Sequence, residues 1–129
     1  MTAIRALLLL AFTALPTAAA ADLVLLMAEE DGCFWCGRWN AEIAEIYPKT
    51  EEGRQAPLQR YDLLEGTPPG ITLARRVSFT PTFVLLSDGE EVSRIEGYPG
   101  EDFFWGLMGQ MLQQANQPPG ADLVQNGGQ

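Results

Sequence analysis

The chain contains no histidine. That absence excludes every Ser-His and Cys-His catalytic pair and every metal site that needs an imidazole. Cysteine is almost as scarce, at two residues. Two thiolates cannot build a four-cysteine zinc site or a cysteine-ligated iron–sulfur cluster. Positive charge is short as well: 8 Lys and Arg stand against 17 Asp and Glu, a net charge of −9. Such a surface repels phosphate backbones, which argues against nucleic acid as a partner. A length of 129 residues admits one domain. Apolar residues make up 47% of it, enough to build a core. The covalent chemistry left to the chain is that of its two cysteines.

The first residues read as an address. Arg5 and the amino terminus precede an apolar run from Ala6 to Leu15, which Pro16 breaks, and small residues follow through Ala21. This is the pattern of a secretory signal peptide over residues 1–21, cut after Ala19-x-Ala21 to leave Asp22 first. The run is too short to cross a bilayer. No twin arginine precedes it, so the general secretion route is expected. No cysteine follows the cut, so no membrane anchor is expected after cleavage. The mature chain would carry seven basic residues against 17 acidic ones, a net charge of −10. It would be periplasmic and soluble, a small acidic monomer in a compartment where disulfides persist.

Asp22 to Ala28 is a continuous apolar run whose length suits a buried strand. An acidic stretch, Glu29-Glu30-Asp31-Gly32, leads into Cys33-Phe34-Trp35-Cys36. From there Cys36, Trp39, Ile43 and Ile46 recur at helical spacing, and Tyr47-Pro48 ends the helix. Lys49 to Ala56 reads as polar connection. Pro57 to Leu64 reads as a second strand, and Ile71 to Arg76 as a turn or two of helix. Thr82 to Leu86 and Val92 to Tyr98 are strands joined through Asp88-Gly89, a strong hairpin signal. Glu101 to Ala115 is a helix with one apolar stripe of Phe103, Phe104, Leu107, Met108, Met111 and Leu112, expected to pack on the sheet. The tail, 117–129, is expected to be disordered. The domain then spans 22–116. A helical crossover implies parallel strands and the tight turn antiparallel ones. The fold class is therefore α/β, a mixed, mostly four-stranded sheet with helices on both faces.

Two cysteines separated by two residues, opening a helix after a buried strand, are the sharpest chemical feature. On a first helical turn, residues i and i+3 share a face and lie within disulfide reach. Cys33 stands at the helix start, where backbone N–H groups favour a thiolate. Cys36 lies one turn in and is more buried. Cys33 is thus the expected nucleophile and Cys36 the resolving thiol. A purely structural bridge is the poorer reading, because so small a ring constrains little of the unfolded chain. A soft-metal site such as Cu(I) is poorer still, with no histidine and no methionine beside the pair. No metal and no other cofactor is expected. The second feature is Thr80-Pro81, a proline at the mouth of an apparent core strand, where its missing N–H interrupts the ladder.

Taken together, Cys33-Phe34-Trp35-Cys36, Phe79-Thr80-Pro81-Thr82-Phe83-Val84-Leu85-Leu86 and Arg94-Ile95-Glu96-Gly97-Tyr98 resemble the thioredoxin family over about residues 22 to 115. The segments Tyr47 to Arg54 and Glu96 to Leu107 are most similar to the small periplasmic thioredoxins encoded with bacterial sulfur-oxidation (Sox) systems, the SoxS type. The resemblance implies a thioredoxin-like fold trimmed at its N-terminus. It implies a cis Pro81 beside the disulfide, a Thr80 backbone that pairs with an extended substrate segment, and Phe34 and Trp35 on the face the substrate meets. Thioredoxins proper carry Gly-Pro between the cysteines and a buried aspartate in the preceding strand. Here Phe-Trp stands between them, and Leu23 to Met27 holds no carboxylate. Proton handling for Cys36 then falls to water or to Glu29, Glu30 or Asp31, while Arg38 would favour a thiolate.

The expected activity is thiol–disulfide oxidoreduction, with reduction of a partner protein's cysteines as the leading direction. The partner would be a protein disulfide or sulfur adduct, by resemblance on a sulfur-oxidation carrier protein. Electrons would come from a membrane thiol transporter. The opposite direction, a dithiol oxidase serving folding proteins, would use the same residues. A non-enzymatic redox sensor or binding module is the third reading.

Overall fold

The computed structural model describes residues 19–117. The leader assigned to 1–21 and the tail assigned to 117–129 fall almost wholly outside that range. Four strands form one sheet: β1 (Leu23–Glu29), β2 (Leu58–Asp62), β3 (Thr82–Ser87) and β4 (Glu90–Glu96), in the order β2-β1-β3-β4. β1 pairs parallel with β2 and antiparallel with β3, and β3 pairs antiparallel with β4. The sheet is mixed, as expected. Its α-helices are α1 (Phe34–Trp39), α2 (Glu51–Gln55) and α3 (Glu101–Ala115).

Strand alternation divides the core in two. Leu23, Leu25 and Met27 of β1, with Phe83 and Leu85 of β3, face one side. There Trp39, Ile43 and Tyr47, with Phe104, Met108, Met111 and Leu112 of α3, cover them. Leu26, Ala28, Val84 and Leu86 face the other side and meet Tyr61, Leu63, Ile71, Leu73 and Val77. Helices were expected on both faces. Among the described residues the second face carries only the single 3-10 turn Leu63–Glu65 and irregular chain. The expected helix at Ile71 to Arg76 does not form. Thr72 instead bridges to Glu90, with its N–H on the Gly89 carbonyl and its carbonyl accepting from Glu91.

The first helix also departs from expectation. α1 gives way to a π-helical segment, Asn40–Ala44. A π turn holds more residues than an α turn and rotates the buried face. Tyr47 therefore enters the core in place of Ile46, which is 40% exposed. In the stretch read as polar connection, Thr50 caps α2: its hydroxyl accepts the Gly53 N–H at 3.1 Å. In α3 the stripe splits, because Phe103 is 71% exposed and Leu107 37% exposed.

A bulge shapes β4. Leu85 faces Ser93 but Leu86 faces Glu91, so Val92 is an extra residue. Residues three apart on a regular strand point to opposite faces. The bulge brings Glu91 and Arg94 to the same face, joined at 2.6 Å and nearly buried. Arg94 also donates to the Arg75 carbonyl at 2.7 Å, and Glu91 accepts the Ala74 N–H at 2.7 Å. This pair replaces the missing helix as the fastening of the 71–77 segment.

A Cβ on Gly53 would stand 1.8 Å from the Tyr47 carbonyl oxygen, whereas one on Gly109 of α3 meets nothing within 4 Å. Gly53→Ala should cost about 2 kcal/mol, and Gly109→Ala should gain about 0.5–1 kcal/mol; thermal melts read both. For Glu91, burial opposes the charge, but hydrogen bonds from Arg94 and Ala74 and the charges of Arg94 and Arg75 outweigh it and hold the pKa below the ordinary value. Its contribution is complete above about pH 4.3, the unfolded value, and is lost as pH falls below that. Urea midpoints of wild type and Glu91→Gln should therefore converge on acidification.

Candidate active site

Cys33 caps the first helix in extended conformation (φ −70°, ψ 105°), and the chain turns helical at Phe34. The acidic turn before it closes at Gly32, whose φ of +77° suits glycine. Cys33 and Cys36 are joined by a disulfide, with Cα atoms 5.2 Å apart. Cys33 is partly exposed and Cys36 is 4% exposed. The Cys36 N–H points at the Cys33 sulfur at 3.1 Å, a fixed donor for negative charge on that atom. This asymmetry is the one expected from helix position.

Phe34 and Trp35 project outward, 67% and 51% exposed, packed edge to face at 5.1 Å between ring centres. Thr80-Pro81 is a cis peptide bond. Pro81 is buried and its carbonyl accepts the Gly97 N–H at 2.7 Å, tying this loop to Gly97-Tyr98. The Thr80 backbone makes no hydrogen bond among the described residues. Phe79 beside it is 49% exposed, an aromatic whose position the sequence motif gave no reason to single out. β1 and β3 leave the sheet at the same end, where Ala28 pairs with Thr82. Both expected segments, Cys33 to Cys36 and Thr80-Pro81, are therefore presented together.

A polar cleft of about 350 Å3 opens beside Cys36. Glu29, Glu30, Asp31, Cys33, Arg60 and Asp62 line it. Sequence reasoning named Glu29, Glu30 and Asp31 but missed Arg60 and Asp62, because only the parallel register of β1 with β2 brings them here. The Arg60 guanidinium bonds Glu29 at 2.6 Å and Asn40 at 2.8 Å and lies 5.4 Å over the Trp39 ring. Arg38, expected to favour a thiolate, is instead engaged by Glu42 at 2.6 Å. Glu42 also accepts the Tyr98 hydroxyl at 2.5 Å. Hydrogen bonds from Tyr98 and then Arg38 hold the Glu42 carboxyl below its ordinary pKa. Among the described residues no three His, Cys, Asp or Glu side chains are arranged to hold a metal ion.

A mixed sheet that delivers a CxxC disulfide to a helix start defines a thiol–disulfide exchange site. No family model matches the chain, and no curated protein does. Among solved structures, the periplasmic thioredoxin SoxS from Paracoccus pantotrophus, in reduced form, is 56% identical, with 72% of this chain and 98% of that chain aligned and a TM-score of 0.71. A mutant thioredoxin from Halobacterium salinarum shares the fold at 23% identity, over 76% of this chain and 79% of its own, with a TM-score of 0.51. The chain belongs to the thioredoxin family and resembles its SoxS type. It is a thiol–disulfide oxidoreductase. Among the described residues no helix is long and apolar enough to cross a membrane.

The tyrosines offer a spectroscopic check on the packing around this site. All three, Tyr47, Tyr61 and Tyr98, have phenol pKa values raised above the ordinary value, in each case first by burial. For Tyr98 the Glu42 carboxylate adds to the effect. The native chain should show little phenolate absorbance at about pH 10, where a free tyrosine is half ionised. The full signal should appear only on unfolding. A full equivalent titrating near that pH would mean that one ring is open to water.

Proposed function

We propose that the chain is a periplasmic reductase of protein disulfides or sulfur adducts, exported by a cleavable leader over residues 1–21. The unequal pair, an accessible Cys33 and a nearly buried Cys36 joined across the first helical turn, supports the exchange chemistry, and 56% identity to a periplasmic thioredoxin supports the reducing direction. In the reduced protein the Cys33 thiolate attacks a sulfur of the partner's disulfide. A Cys33–partner disulfide forms and one partner thiolate leaves. The Cys36 thiolate then attacks the Cys33 sulfur, closing the ring and releasing the second thiolate. Two electrons pass to the partner, and the two thiol protons end on the released sulfurs. A membrane thiol transporter, supplying a dithiol, returns the protein to its reduced form. Likeness to a sulfur-oxidation thioredoxin supports a carrier protein of that machinery as partner. The exposed Phe34 and Trp35 and the unpaired Thr80 backbone beside Pro81 supply a face for an extended segment around the target cysteine.

The test has two arms. Cys36→Ser should accumulate a mixed disulfide with the partner that Cys33→Ser cannot form. Equilibration against glutathione and dithiothreitol ratios should place the Cys33–Cys36 couple at about −270 mV or below. A value near about −120 mV would overturn the reductase reading and make the chain an oxidant.

A further inference from the structure

The backbone ladder between β1 and β3 ends at Ala28 opposite Thr82. The next position opposes Glu29 to Pro81, which has no N–H to give. One step further the same register sets Glu30 opposite Thr80. There the contact resumes through side chains: the Thr80 hydroxyl donates to the Glu30 carboxylate at 2.9 Å. The Glu30 backbone carbonyl meanwhile accepts the Cys33 N–H at 3.3 Å. One residue thus holds the nucleophile's backbone with its own backbone, and the loop of Pro81 with its side chain. No other side-chain hydrogen bond among the described residues joins the segment 29–36 to the segment 78–81.

We propose that Glu30 is a positioning residue that sets the spacing between the Cys33 sulfur and the Thr80 backbone. An extended substrate must meet both at once, its sulfur on Cys33 and its backbone on Thr80. A loop free to drift would lose that double contact while leaving the thiol chemistry intact. This rests on the reading of Thr80 as a substrate-binding residue. It assigns no proton transfer to Glu30: the carboxylate acts as an acceptor for one hydroxyl.

The experiment compares two probes of stoichiometric exchange with the reduced protein. One is a short unstructured peptide carrying thionitrobenzoate in a mixed disulfide at an internal cysteine. The other is dithiobis(nitrobenzoate), which offers no peptide backbone. The readout is the ratio of the two second-order rate constants. Glu30→Ala and Thr80→Val should each lower this ratio about tenfold. The double variant should be no worse than either single one, since both remove one shared bond. Glu30→Gln should regain most of the loss, because its amide oxygen still accepts the hydroxyl. Losses that multiply in the double variant would overturn the proposal, as would a Glu30→Gln that is as poor as Glu30→Ala. If Thr80→Val lowers the ratio and Glu30→Ala does not, Glu30 positions nothing while the substrate reading stands. If neither variant moves it, the proposal fails; the substrate reading fails separately if the wild-type ratio is no higher than that of a free thiol such as glutathione, which has no backbone-binding loop.

Discussion

The antiparallel pairing of β1 with β3 is the constraint from which the site follows. Its register, Leu23 with Ser87 through Ala28 with Thr82, is fixed because one face must bury Leu25, Met27, Phe83 and Leu85 together. A slip of one residue would turn that set to the opposite face. Once the register holds, two segments about fifty residues apart in sequence leave the sheet side by side. One carries the cysteines and the other carries Thr80-Pro81. The ladder cannot run on past Thr82, since the next residue is proline. The end of the sheet therefore has unpaired backbone next to a reactive sulfur, which is what a strand-binding redox site requires.

Trp39 carries that constraint into the helical layer. It is fully buried, with ring centres of Phe83 at 5.2 Å, Phe104 at 5.8 Å and Tyr47 at 6.3 Å. It is also the last residue of α1, three positions beyond Cys36. The packing of Trp39 against β3 and α3 thus fixes the axis on which both cysteines ride. The following π segment turns Tyr47 inward, and its hydroxyl donates to the Ala56 carbonyl at 2.6 Å. That bond closes the crossover just before β2. Arg60 of β2 then reaches back over the Trp39 ring, so helix, crossover and edge strand meet at one side chain.

What was legible in the sequence was local. The apolar run before Cys33, the Asp88-Gly89 turn and the Glu101–Ala115 helix each carry their signal within a few residues. The structure places positive φ at both Asp88 (49°) and Gly89 (82°), as that turn demands. The departures depend on a cap hidden in a polar stretch, on contacts distant in sequence, or on a single inserted residue. α2 is five residues long with glycine at its centre, so its formation rests on the Thr50 cap and on packing against Tyr47. A helix at 71–76 was a fair reading of its composition. Arg94 and Glu91 hold the stretch as irregular chain instead, and their meeting requires a bulge that no local pattern announces. The cysteines and Thr80-Pro81 were found by motif. Arg60 and the role of Glu30 as a link needed the register.

Four carboxylates line the cleft beside the disulfide, an arrangement that would oppose a thiolate if their charge stood free. Three are engaged: Glu29 by Arg60, Glu30 by the Thr80 hydroxyl, and Asp62 by the Leu64 N–H at 2.8 Å. The nearby cations are engaged too, Arg60 by Glu29 and Asn40, and Arg38 by Glu42. The cations are thus matched within the fold, whereas of the four cleft carboxylates only Glu29 meets a cation and the others keep their charge while accepting from neutral donors or solvent. The donor aimed at the Cys33 sulfur is the backbone N–H of Cys36, whose place is set by the helix itself. A backbone donor cannot be neutralised by pH or drawn away by salt, unlike an exposed arginine. On the proposed mechanism the readiness of Cys33 is therefore a property of the turn it caps, and the surrounding charges serve to hold the loops that present it.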